Sequence, residues 1–337
     1  MDREVERKII GILKILSKER EPVGASLISA SLKDFGVDLS ERAVRYHLKL
    51  MDERGLTEGK GKLGRLITER GREELENALV SDKVGMVITK ILNLSYQTTF
   101  DVNRREGRII LNISLLPEGS LEKALNAMRD AFQAKLCTSD LVAIAHSGQR
   151  LGEMEVPSGR VGIGTVCSVT IDGILLKQGI PVDSKFGGIL QIVKHKPVRF
   201  TDLISYQGSS LDPHEIFLKS RMTNVGGAAV RGEGKMLASF REIAAVSRDR
   251  VQAILEELAA AGIYGVLLMG KPSQSVVGVP VGVDRVGMVV AGGLNPIAAV
   301  EEMGIPTESK ALSTLIDYRQ LTSFWNVFEQ EERKAGS

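Results

Sequence analysis

Ser40-Glu41-Arg42-Ala43-Val44-Arg45-Tyr46-His47-Leu48-Lys49-Leu50-Met51-Asp52-Glu53-Arg54-Gly55 decides how the first part of the chain is read. Ser40 is a good N-cap, its hydroxyl suited to the first free amides of a helix, and Gly55 is a natural stop. Between them the helix divides by face. Val44, Leu48 and Met51 follow i, i+4, i+7 and form a packing stripe. Arg42, Arg45 and Lys49 form a second stripe with Tyr46 between them. Such a face suits a recognition helix, whose guanidinium forks meet guanine edges or phosphates on a side the core does not use. His47 lies nearer the packing stripe and is read as having a packing or backbone role.

Working outward, Val5, Ile9, Ile12, Leu13 and Leu16 define a first amphipathic helix, broken by Pro22 and Gly24. A second helix is expected over Ser26–Phe35, with Gly36 ending it, and two short helices around a tight turn are a helix-turn-helix. After Gly55, two short extended runs flank a glycine-rich turn bearing Lys60, Lys62 and Arg65, a wing whose cations suit phosphates or a minor groove. Thr68 then caps a helix expected to reach about Leu79. From Arg42 to Arg72 nine basic residues face four acids, although the whole chain carries only +2. A solvated face would explain the stripe alone; helix, turn, split-faced helix and basic hairpin in that order favour double-stranded DNA. The DNA-binding candidates are Ser40, Arg42, Arg45, Tyr46, Lys49, Lys60, Lys62 and Arg65.

The 337 residues exceed one ordinary domain. We expect a winged helix with a linker helix over 1–80 and an effector-sensing, dimerising domain over 81–337, its halves falling at about 81–200 and 201–337. No apolar run of about 18 residues occurs and MDREVERK is no signal peptide, so a cytoplasmic protein away from membranes is expected. Cys137 and Cys167 stand apart from any metal-ligand spacing, and neither a metal site nor a cofactor is expected.

In the larger part, strands are expected at Thr98–Asp101, Arg108–Leu115, Leu141–Ala145, Val161–Val169, Ile171–Leu176 and Ile263–Met269. Helices are expected from Ser120 and over Ser247–Ala261. Hairpins mixed with helices indicate an α+β fold of two related lobes. Pro157-Ser158 recurs as Pro272-Ser273, and Gly164, Gly173 and Gly179 recur 114 positions later as Gly278, Gly287 and Gly293. Hydrogen-bonding groups gather in the first lobe, at Gly164-Thr165-Val166-Cys167-Ser168, His146 and Asp183-Ser184-Lys185-Phe186-Gly187-Gly188. Glycine-flanked amides beside a lysine suit a carboxylate or phosphate ligand. The effector-binding candidates are His146, Thr165, Cys167, Ser168 and Lys185.

Glu41–Leu48 with Met51–Thr57, the run Gly162–Gly173, and Gly179-Ile180-Pro181 leading into Ser184–Gly188 together resemble the archaeal nitrogen-regulation repressors, the NrpR family, in its single effector-domain form. The resemblance covers nearly the whole chain. It implies a homodimeric repressor of nitrogen-assimilation genes, bound to a palindromic operator and released by 2-oxoglutarate. Some members carry two effector domains in tandem, so a second, related repressor subunit is also a candidate partner. Two rival readings remain: an enzyme using Cys167 and His146 as nucleophile and base, and a winged helix used for protein docking.

Overall fold

The stripe Ile9, Ile12, Leu13 and Leu16 is buried along helix α1 (Arg3–Leu16) and packs on α2 (Ala25–Leu32) and α3 (Glu41–Glu53). This computed structural model describes residues 3–77 and 84–335. The chain divides into two units, Met1–Lys83 and Val84–Ser337. In the first, α2 passes into a 3-10 turn (Lys33–Phe35) that Gly36 closes at a positive φ of 68°, so the expected second helix is two joined turns of different pitch. Strands β1 (Thr57–Gly59) and β2 (Arg65–Ile67) form the hairpin, and Val23 bridges to Arg65 from outside it. Helix α4 (Glu69–Glu76) follows its Thr68 cap. Both Leu79 and the expected boundary at 80–81 lie outside the described residues.

The second unit opens with α5 (Met86–Gln97) and runs through β3 (Arg108–Pro117), α6 (Leu121–Gln133), β4 (Leu141–Ala145), β5 (Arg150–Leu151), β6 (Met154–Glu155), β7 (Arg160–Val166), α7 (Val169–Lys177) and β8 (Asp183–Val193). Then come β9 (Lys196–Ser205), α8 (Pro213–Lys219) and α9 (Val225–Val230). The remainder is β10 (Gly234–Ala244), α10 (Arg248–Ala260), β11 (Val266–Met269), β12 (Arg285–Ala291), α11 (Asn295–Glu302), β13 (Glu308–Asp317), β14 (Thr322–Ser323) and α12 (Phe324–Ala335). The larger strands form two five-stranded antiparallel sheets, β13-β3-β7-β4-β14 and β11-β12-β10-β8-β9. Two apolar clusters bury their faces, one centred on α6 and α11 and the other on α7 and α10.

The order β3-α6-β4-β7-α7-β8 recurs as β10-α10-β11-β12-α11-β13, so the two lobes are copies of one plan. Their match lies in a different register from the expected one. Arg160-Val161-Gly162 opens β7 as Arg285-Val286-Gly287 opens β12, 125 positions on, and Gly179-Ile180-Pro181 returns as Gly304-Ile305-Pro306. The lobes also exchange their last strands. β8 leaves the first lobe to pair with β10, and β13 leaves the second to pair with β3. Equivalent ion pairs span both exchanges, Arg160 to Glu308 at 2.5 Å and Arg285 to Asp183 at 3.2 Å.

Two expected strands are otherwise. Val169–Lys177 is a helix rather than the end of one strand and the whole of another, because every residue from Val169 to Leu175 is buried and no amphipathic period survives. Thr98–Asp101 makes only an isolated bridge, Asp101 to Glu106, after the Met86–Gln97 helix.

Asn295, fully buried at the start of α11, joins the lobes through its amide. Its Oδ1 accepts from Leu237 N, and its Nδ2 donates to Leu237 O and Leu136 O, each at 2.8 Å. Asn295→Ala strands buried backbone groups on β10 and after α6, so urea unfolding should show a loss of about 2–4 kcal/mol.

Candidate functional site

On α3 the division of faces is complete. Val44, His47, Leu48 and Met51 are buried, whereas Arg42, Arg45, Tyr46 and Lys49 are exposed, Tyr46 by 63%. Ser40 accepts from Ala43 N and fixes where the helix begins. Burial and the nearby Lys8 charge hold His47 below the usual histidine range, in keeping with a packing role. Arg45 pairs with Glu41 one turn earlier yet stays 71% exposed. In the hairpin, Lys62 is exposed and Lys60 pairs with Glu58 at 2.5 Å. Arg65 is placed differently from the other wing cations. Its Nε donates to Asp52 on α3 at 3.0 Å, and Thr57 Oγ1 donates to the same carboxylate at 2.6 Å. Asp52 thus ties both strands of the hairpin to α3, a fastening that charge counting did not reveal. Leu63 at the wing tip is 72% exposed and was also missed.

In the larger unit, β7 delivers Cys167 and Ser168 to the turn before α7. There they meet a group from the other lobe, Arg241 on β10. Arg241 is 1% exposed. Its Nη1 donates to Ser168 O at 2.9 Å and to the Asp172 carboxylate of α7, and its Nη2 donates to Ser168 Oγ at 2.8 Å. Ser184 of β8 donates to the other oxygen of Asp172 at 2.9 Å. Burial pushes the Asp172 carboxyl up, while Arg241 and Ser184 draw it back down. Around this pair, burial raises the Tyr206 phenol and lowers His214, whose Nε2 donates to Ala238 O at 3.1 Å.

The second lobe's counterpart of this site is neutral. By strand register Ser114 on β3 corresponds to Arg241, and its cross-strand neighbour Ser309 on β13 corresponds to Ser184. Those two hydroxyls simply bond each other at 2.8 Å. Among the described residues the charged arrangement therefore occurs in one of the two equivalent positions.

Of the effector candidates, Cys167 and Ser168 come together beside Arg241 and Asp172. Thr165 lies two residues earlier on β7, its buried hydroxyl without a hydrogen-bond partner. Lys185 is committed elsewhere, to Asp183 at 2.6 Å and Glu242 at 3.3 Å, and its pKa is raised chiefly by the hydrogen bond to Asp183. His146 does not join the others. Ala145 pairs with Gly162, so His146 and Cys167 stand at opposite ends of β7, about 20 Å apart along the strand. It is partly exposed and 3.5 Å from Glu118. Burial pushes the Cys167 thiol up to about 12. A nucleophile and base need hydrogen-bond reach and an accessible thiolate, and Cys167 with His146 has neither. Arg241 escaped sequence reasoning, although Met236-Leu237-Ala238-Ser239-Phe240-Arg241 carried a signal: polar groups alternating inside an otherwise apolar strand.

A winged helix followed by an α/β regulatory unit is the architecture of a transcription regulator. The family model for the NrpR regulatory domains NRD1 and 2 matches residues 84–323, and the model for the ribonuclease R winged-helix domain matches residues 10–75. The chain is 40% identical over 95% of its length to the global nitrogen regulator NrpRI of Methanosarcina mazei, covering 99% of that protein. It is 33% identical to the global nitrogen regulator NrpR of Methanococcus maripaludis and 35% to that of Methanocaldococcus jannaschii, spanning 58% and 55% of their lengths. The crystal structure of a nitrogen repressor-like protein from Methanococcus jannaschii superposes with a TM-score of 0.60 at 32% identity, over 71% of this chain and 98% of that one. The chain belongs to the NrpR family of nitrogen regulators, which are transcription regulators and not enzymes.

Asp172→Asn removes the charge that neutralises a buried guanidinium. Denaturant unfolding should register a loss of about 3–5 kcal/mol, the range for breaking one side of a buried pair.

Proposed function

We propose that this chain represses nitrogen-assimilation genes in the cytoplasm, binding a palindromic operator as a homodimer and leaving it when 2-oxoglutarate binds the larger unit. The exposed Arg42, Arg45, Tyr46 and Lys49 face of α3, in a chain of the nitrogen-regulator family, carries this reading. A dimer would set two recognition helices roughly 34 Å apart, matching successive major-groove half-sites. Lys60 and Lys62 would reach the backbone beside them, while Arg65 holds the wing in place.

The switch is a linkage. An acid that binds one arrangement of the lobes better than another shifts the population toward it, and operator DNA then weakens acid binding by the same factor. The Cys167–Ser168 turn with Arg241 supports the location, because it joins the two lobes and concentrates the buried polar chemistry.

Fluorescence anisotropy of a labelled palindrome from a nitrogen-assimilation promoter tests both halves of the reading. Tight, sequence-dependent binding that 2-oxoglutarate reverses is expected. Binding indifferent to the acid would remove the effector assignment. Weak binding without sequence preference, falling steeply with salt, would instead favour a docking module or a required second subunit. Arg45→Ala should cost about 1–3 kcal/mol of operator affinity, roughly five- to 150-fold, with the fold unchanged by circular dichroism.

A further inference from the structure

Two buried donors on one face of β10 have no hydrogen-bond partner, Arg241 Nε and, two residues earlier, Ser239 Oγ. Residues two apart on a strand point the same way, so both donors lie on the face of β10 where Arg241 meets Asp172 and Ser168. The other two guanidinium nitrogens each have a partner, Nη1 in Ser168 O and Asp172 and Nη2 in Ser168 Oγ. The neighbouring strand is glycine where it faces Ser239. Gly187 lies opposite it in register, and a side chain there would collide with Pro213 Cβ at 2.8 Å, Tyr206 Oη at 3.0 Å and His214 Cδ2 at 3.2 Å, so only glycine lets α8 and Tyr206 close over this face.

We propose that Arg241 and Ser239 recognise a carboxylate of the small-acid effector, and that this carboxylate competes with Asp172 for the guanidinium. The inference rests on the effector reading above and assigns its chemistry. A guanidinium offers five N–H groups in a planar fork that matches a carboxylate. Asp172 occupies part of that fork, Nε remains, and the Ser239 hydroxyl supplies a further donor alongside. Because Asp172 belongs to α7 of the first lobe and Arg241 to β10 of the second, exchanging one carboxylate for another loosens the tie between the lobes. Ligand entry and the change it causes are then one event: α7 parts from β10 as the acid takes its place. The neutral Ser114–Ser309 pair has no such fork, so each chain binds one acid.

Isothermal titration of the full chain with 2-oxoglutarate, with succinate as a second dicarboxylate, tests this. The wild type should bind one acid per chain. Ser239→Ala should keep or raise the melting temperature, since it removes an unpartnered buried hydroxyl, and lower the acid's affinity about tenfold. Asp172→Asn, where it folds, should raise affinity several-fold because the competitor is weakened. A purely structural pair would not give opposite signs in the two variants. Undiminished binding by Ser239→Ala, or two acids per chain, overturns this assignment and leaves the effector reading standing. Absence of binding by the wild type overturns both.

Discussion

The exchange of β8 and β13 governs the larger unit. Each sheet takes a strand from the other lobe, so neither lobe owns a complete hydrogen-bonded ladder. The side chains that matter most sit across that seam. Asn295 bonds to β10 and to the end of α6, and Arg241 reaches from β10 to α7. With such close interlocking, the lobes cannot shift as independent bodies on a linker. They must rearrange at the contacts that lie between the exchanged strands.

Against that background the buried Arg241–Asp172 pair is informative. Taking two charges out of water is expensive, and apolar residues of similar size often hold an interior at least as well. This fold supplies its own comparison, because the matching position in the other lobe is satisfied by two serines. The architecture does not require a charge there. Keeping one fits a role in responding to charge better than a role in cohesion.

Much of this organisation can be read from the residues alone, for identifiable reasons. The winged helix is legible because its helices are half-exposed: Val44, Leu48 and Met51 face one way and Arg42, Arg45 and Lys49 another. Helix α7 is illegible for the opposite reason, since a segment buried on every side has the same apolar profile as an inner strand. The repeat is visible as glycines, but in a glycine-rich chain they align at a false offset; the informative matches are Arg-Val-Gly and Gly-Ile-Pro. Cys167 and Ser168 stand out by composition, whereas their partner Arg241 is more than 70 residues away. Only the strand exchange brings it to them, and His146, close to them in sequence, ends at the far side of the sheet.

The exchange also shapes how the molecule is made. β3 finds its outer neighbour in β13, and the Ile113 amide bonds to the Ser313 hydroxyl 200 positions downstream. At translation rates of about 5–20 residues per second, that edge stays open for roughly 10–40 s after β3 emerges. An open strand edge pairs readily with another of its kind, and contacts so distant in sequence form late. The interlocking of the lobes therefore also leaves the nascent chain with an open edge, which closes only when β13 reaches the strand made first in this unit.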